Sequence, residues 1–526
     1  MQRRRFFASL GLATAALSAL KGQTAAAATT PSRADTANLP GNLDATAALY
    51  HYLQRIAMLD RQGPQLRSII ELNPDARHIA VALDAERRAG SLRGPLHGTA
   101  VVIKDNIATG DRMSTTAGSL ALDGIEATRD AFLVGKLRDA GAVIVGKTNL
   151  SEWANIRSSR STSGWSGRGG LTRNPHALDR NTSGSSSGSA AAVAAGLAAM
   201  AIGTETDGSI TSPASINGIV GLKPTVGRLS RDGIVPISHT QDTAGPMART
   251  VADAARLLGA IAGSDPNDPA TLNAPPPDDY LAALDPHALR GARIGVAREY
   301  FTEHDEIDGE IERAIAQLAA LGATIVDPIQ LSKVGYGNEE QMVLLHEFKH
   351  DLPMWLTTFA PHAPIKNLAD LIAFNDAHRA SEMPFFAQEL FVQAQALGDL
   401  DSDVYRKALA VCAKGARDDG LDHAFRAHQL DAIVAPTGGT AWLTDLVNGD
   451  SSGDSFSTPA AVAGYPHLTV PAGFVRGLPV GLSFVGPAWS EARLLAYGHA
   501  FEQATHWRRD PQFLAQSSVP PLGGSV

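Results

Sequence analysis

One cysteine, Cys412, stands in 526 residues. That excludes an internal disulfide, a cysteine zinc cluster and an iron–sulfur site. Its place in an apolar helical pattern assigns it to buried packing. Basic residues are in deficit too: 45 Lys and Arg face 54 Asp and Glu, a net charge of −9. A nucleic-acid surface normally needs the opposite balance, so no nucleic-acid partner is expected. None of the sixteen histidines has metal-ligand spacing, and neither a metal nor an organic cofactor is expected. Beyond the N-terminus no segment offers 18 uninterrupted apolar residues, so no stable membrane insertion is expected. What is abundant is core material and glycine. The chain is 44% hydrophobic and 19% charged, which rules out global disorder. Its 50 glycines crowd the middle, where tight turns and close backbone approach matter.

The first residues read as an address. Arg3-Arg4-Arg5-Phe6-Phe7 precede an apolar run from Ala8 to Leu20, then Lys21 and the alanines 25 to 28. A run of this length is too short to span a bilayer, which takes about 20 residues. The layout is that of a signal peptide, and the adjacent arginines suggest the twin-arginine route, which places the mature protein in the periplasm or outside the cell. The expected organisation is a cleaved signal over 1–28, a flexible lead-in over 29–43, one catalytic domain over 44–515 and a tail over 516–526. Within the domain, short apolar runs alternate with helical patterns. Strands are expected at 100–103, 142–145, 294–297, 324–326, 431–435 and 467–470, and helices at 131–140, 251–261, 307–320 and 491–505. That alternation signals an α/β sandwich. From about 338 to 428 the rhythm breaks into nearly continuous helix, an expected insertion over the sheet.

Two motif matches fail on context. Gly141 to Thr148 satisfies G-x-x-x-x-G-K-[ST], but a phosphate-binding loop follows a strand and opens a helix, whereas here Ala142 to Val145 is itself strand-like. Gly184-Ser185-Ser186-Ser187-Gly188 satisfies G-x-S-x-G, yet the polar residues 179–183 before it are no strand. A Ser-His-Asp hydrolase centred on Ser186 is therefore the minor reading, and Ser186 and Ser187 are expected to be structural.

What remains is a cluster: Lys104 after the apolar strand 100–103, the serine-glycine tract 183–189, and Gly203-Thr-Glu-Thr-Asp-Gly-Ser-Ile210, the last two separated by a small-residue helix. Buried hydroxyls need partners, and a lysine among them loses its preference for the charged form. These motifs resemble those of the amidase signature family, whose Ser-Ser-Lys triad uses such a lysine, such a tract and such a turn. The resemblance implies an α/β amidase-signature sandwich, with a central, mixed, mostly parallel twisted sheet covered by helices on both faces. It assigns Lys104 as base, Ser185 as bridging serine and Ser209 as nucleophile. The backbone N–H groups of Thr206, Asp207, Gly208 and Ser209 would form the oxyanion hole. Many members read Gly where this chain has Asp207, and Arg where it has Thr211, which bears on substrate contacts.

Within the family, stretches such as Asn149-Leu-Ser-Glu-Trp-Ala-Asn155 and Gln241-Asp-Thr-Ala-Gly-Pro-Met247 are similar to those of bacterial peptide amidases. The implied reaction is hydrolysis of a peptide C-terminal amide to free acid and ammonia. Aryl or fatty amides are the alternative substrates. Behind them stand the reading as part of a tRNA-dependent amidotransferase and the reading as a non-catalytic binding module. Phe348, Phe374, Phe385, Phe386, Trp442 and Phe456 are candidates for a groove wall, though aromatics at such spacing more often belong to a core.

Overall fold

The computed structural model of the chain describes residues 44–331, 335–453 and 455–517. The expected signal peptide and lead-in lie outside the described residues, as does the expected tail beyond residue 517. Among the described residues thirteen strands occur: β1 (Ile69–Leu72), β2 (Ala100–Lys104), β3 (Val143–Thr148), β4 (Trp165–Ser166), β5 (Gly170–Leu171), β6 (Met200–Glu205), β7 (Val220–Lys223), β8 (Thr243–Ala248), β9 (Arg293–Ala297), β10 (Thr324–Ile329), β11 (Ala432–Pro436), β12 (His467–Val475) and β13 (Leu478–Val485). Eleven of them form one sheet in the order β1-β3-β2-β6-β8-β7-β12-β13-β11-β9-β10, and β4 pairs with β5 apart from it. Every residue of β2, β3, β6, β7, β8, β11 and β13 is buried, so both faces of the sheet are covered.

The expected helix-covered mixed sheet is present, with a difference in proportion: parallel pairing is the minority. It is confined to β3-β2-β6 and to β11-β9-β10, while the six other neighbouring pairs are antiparallel. The reason is in the connections. Parallel neighbours need a crossover, supplied by the helix Phe132–Asp139 between β2 and β3 and by Asp305–Ala320 between β9 and β10. The β12–β13 hairpin turns on two residues, Arg476 and Gly477, both at positive φ (51° and 81°), the two-residue turn that matches strand twist.

Residues 337–428 carry the helices Gly337–Phe359, Leu368–Ala377, Glu389–Ala396, Asp403–Ala413 and Asp422–His428. Phe348, Leu352 and Trp355 of the first pack into the main core, while Val343 joins Tyr405 and Cys412 in a second cluster that reaches Ile433 on β11. Cys412 is a packing residue, and burial pushes its thiol up to about 12.

Between the serine tract and β6 runs the helix Ser187–Ala194, with every residue buried. Small side chains let it lie deep in the fold. A Cβ at Gly188 would stand 2.3 Å from the Ser68 carbonyl oxygen and 2.5 Å from that of Asn149. Only glycine fits there, and this close approach fixes where the serine tract enters the site.

Candidate active site

Lys104 closes β2 and is fully buried. Its Nζ lies 2.7 Å from Ser185 Oγ, 2.9 Å from Thr204 Oγ1 and 3.2 Å from the Thr204 carbonyl oxygen. Burial lowers its pKa to about 7, against the opposing pull of Asp242 and Glu205. A neutral amine donates twice and accepts once. Thr204 offers two acceptors, so the lone pair is left for the Ser185 hydroxyl, the arrangement a base requires.

Ser185 follows a cis peptide bond from Gly184, and its carbonyl accepts the Ser151 N–H at 3.1 Å. Its neighbours in the tract are occupied. Ser186 Oγ donates to the Thr204 carbonyl at 3.0 Å and accepts the Thr204 N–H at 3.2 Å, while Ser187 Oγ donates to the Ser183 carbonyl at 2.6 Å. Those bonds staple the tract to β6 and leave Ser185 as the tract's hydroxyl on Lys104.

Ser209 sits in the turn between β6 and the helix Thr211–Ile216. The Ser186 N–H donates to its carbonyl at 3.1 Å, tying nucleophile loop and serine tract together. Gly208 takes φ +73°, which favours glycine. Glu205 shapes the turn from below: one carboxylate oxygen accepts the N–H groups of Ile210 (2.7 Å) and Thr211 (2.9 Å) and the Thr211 hydroxyl (3.2 Å). Among the described residues no protein acceptor takes the N–H groups of Thr206, Asp207, Gly208 and Ser209, the four expected at an oxyanion. They remain as donors for an oxyanion.

Other residues hold this turn that sequence reasoning missed. Thr206 Oγ1 donates to Asp242 at 2.6 Å, and Gln241 Nε2 donates to the Thr206 carbonyl (3.3 Å) and to Glu340 (2.9 Å). Asp242 is itself fixed by the N–H groups of Ile237 and Ser238, and burial raises its carboxyl to about 6. Asp207 accepts from Thr458 Oγ1 at 2.6 Å and packs against Glu340; burial pushes both carboxyls up, and the charge of Asp207 pushes that of Glu340 further. Asp242 and Gln241 lie in a stretch already marked as family-like. Glu340 had no signal beyond a helical pattern.

Above the turn opens a groove of about 470 Å³ whose floor includes Ser183, Gly184, Asp207 and Gly208. Of the six candidate aromatics only Trp442 lines it. Phe348, Phe386 and Phe456 are buried, Phe374 is partly buried against the main core, and Phe385 is half-exposed, edge-on to Trp165. The phosphate-loop match lies in β3, where Lys147 donates to the Ile107 carbonyl and to Thr115 inside the core. Among the described residues no cluster of His, Cys, Asp or Glu is arranged to hold a metal ion, and no helix is long and apolar enough to cross a membrane.

The Amidase family model matches residues 47–495. The chain belongs to the amidase signature family. It is 40% identical to a probable amidase of Arabidopsis thaliana, over 88% of this chain and 87% of that protein. It is 38% identical to one of the subunits of the glutamyl-tRNA(Gln) amidotransferase of Halorhodospira halophila, over 87% and 93%. Among solved structures, native peptide amidase from Stenotrophomonas maltophilia is 55% identical with a TM-score of 0.86, covering 90% of this chain and 96% of that one. The complex of the peptide amidase PAM with the competitive inhibitor chymostatin superposes with a TM-score of 0.87 at 54% identity and the same coverage. This member of the amidase signature family is an amide-hydrolysing enzyme.

Proposed function

We propose that this amidase removes the C-terminal amide of peptides, giving the free acid and ammonia through an acyl-enzyme on Ser209. The observation that carries the mechanism is the 2.7 Å contact between Ser185 Oγ and a buried lysine whose pKa has fallen to about 7. Neutral Lys104 takes the Ser185 proton as Ser185 takes that of Ser209, and the Ser209 oxygen attacks the amide carbon. Negative charge gathers on the carbonyl oxygen, where the N–H groups of residues 206–209 receive it. The relay then reverses, and the proton returns to the leaving nitrogen so that ammonia departs. Water repeats the cycle on the ester and frees Ser209. Likeness to peptide amidases at 54–55% identity supports the peptide substrate over the amidotransferase reading, whose relatives stand at 38%.

The test is a mass-spectrometric time course of purified protein with a short peptide amide and with the same peptide as free acid, using Ser209→Ala as control. Conversion of the terminal amide with internal bonds intact and the variant silent is the expected result. Turnover of aryl or fatty amides alone would replace the substrate assignment. Export belongs to the same proposal: Arg3 to Phe7 and the run after them support periplasmic delivery. N-terminal sequencing of protein recovered from the periplasm checks it, and an uncleaved cytoplasmic chain would refute it.

A further inference from the structure

The groove above the nucleophile turn is unusual in what walls it. Ten serines and two threonines contribute hydroxyls, the larger apolar side chains are Ile216 and Trp442, and the charged residues are two acids, Asp207 and Asp450, with no Lys, Arg or His. So little apolar surface gives weak discrimination by hydrophobic fit. Charge is the property on which such a wall differs sharply between one substrate and another.

The Asp450 carboxyl is fixed in that wall by three donors. One carboxylate oxygen accepts the Ser163 N–H at 2.9 Å; the other accepts Trp442 Nε1 at 3.1 Å and Asn181 Nδ2 at 3.3 Å. Burial pushes its carboxyl up, and the bonds from Ser163 and Trp442 pull it back. All three donors are neutral. They orient the carboxylate and favour its ionised form without cancelling its charge, in contrast to the cation-paired acids elsewhere in the fold, such as Asp268 with Arg231. Asp207, on the floor of the groove beside Ser209, meets Glu340, and burial pushes both carboxyls up.

Resting on the peptide-amide reading, we propose that the groove selects substrates by charge, with Asp450 as a specificity-determining residue. Peptide amides presenting an ammonium or guanidinium to it are favoured, and those presenting a carboxylate are turned away.

The experiment measures kcat/KM for tripeptide amides carrying lysine, norleucine or glutamate at the last or the penultimate position. Wild type is compared with Asp450→Asn, Asp450→Glu and, as a control for overall charge, Asp418→Asn, an exposed acid that does not line the groove. At one of the two positions wild type is expected to prefer lysine over glutamate by about tenfold, mostly through KM, with the ratio shrinking as salt is added. Asp450→Asn should bring the ratio down by roughly fivefold, a size suited to one partly screened charge. Asp450→Glu should keep the preference and Asp418→Asn should leave it intact; thermal midpoints verify that the variants are folded. An unchanged ratio in folded Asp450→Asn, or an equal drop in Asp418→Asn, overturns the charge-selection proposal alone. Failure of wild type to hydrolyse even the norleucine amide overturns the peptide-amide reading beneath it.

Discussion

At the scale of single residues the chemistry turns on one proton. Lys104 has a pKa lowered from the usual 10.5 to about 7 because the charged form is buried. A base works when deprotonated, so kcat/KM should rise tenfold per pH unit below about pH 7 and level off above it. Lys104→Ala should lose roughly 10²–10⁴ in rate at every pH and with it that inflection, while its unfolding transition persists. Stopped turnover assays from pH 5 to 9 read both effects; an inflection surviving in Lys104→Ala would move the base to another group. The sequence singles out Lys104, Ser185 and Ser209 because each sits in a short run of characteristic residues. It does not single out their supports. Thr206 reaches Asp242 across 36 residues and Gln241 reaches Glu340 across 99, contacts set by the sheet order and the packing of the helix Gly337–Phe359. No local pattern encodes such contacts. Asp207 was read as a departure from the family's glycine; its meeting with Glu340 became visible only in three dimensions.

At the scale of elements the question is what fastens the helices of 337–428 to the sheet beneath them. Hydrophobic clusters do part of it, hydrogen bonds such as those of Gln241 to Glu340 and Ser238 to Glu347 do more, and a buried charge network ties the helices to the loop after β3. Arg157, wholly buried, donates to the Glu152 carboxylate and to the Glu382 carbonyl, with its guanidinium 4.2 Å from the Phe386 ring centre. Glu382 in turn accepts the Leu120 N–H at 2.7 Å, and Glu152 the Gly167 N–H at 2.6 Å. Burial and the neighbouring Glu382 drive the Glu152 carboxyl well above its usual range, and Arg157 opposes that. Arg157→Leu would strip the cation from two buried acids, and removing one member of a buried pair costs about 3–5 kcal/mol. Urea unfolding should show a loss of that size; a loss below about 1 kcal/mol, the range of exposed pairs, would assign the fastening to the apolar packing and those hydrogen bonds. The helices themselves were readable from their 3.6-residue spacing. The network was not, because buried Glu and Arg in sequence look like any solvated charges.

At the scale of the molecule the strand order interlocks the two halves of the chain. β1, β2, β3, β6, β7 and β8 build one side of the sheet, but β7 is bordered by β12, and β13 separates β12 from β11. The last hairpin in the chain thus lies beside the central strand β7 and joins the two sides of the sheet, and neither half closes without it. Sequence reading caught the alternation of strands and helices yet overstated parallel pairing, since strand order depends on contacts hundreds of residues apart. Folding should be correspondingly cooperative and slow, because long-range strand pairing is late and leaves edges open in the meantime. The described residues fall within one compact unit, so urea unfolding followed by fluorescence and by circular dichroism should give one coincident transition. A chain ending before β9, at residue 285, should be insoluble when expressed alone, because β7 would stand as an unprotected edge whose residues are all buried in the complete fold. Two separated transitions, or a soluble monomeric fragment with native-like circular dichroism, would show that the first half folds by itself and that the hairpin merely docks onto it.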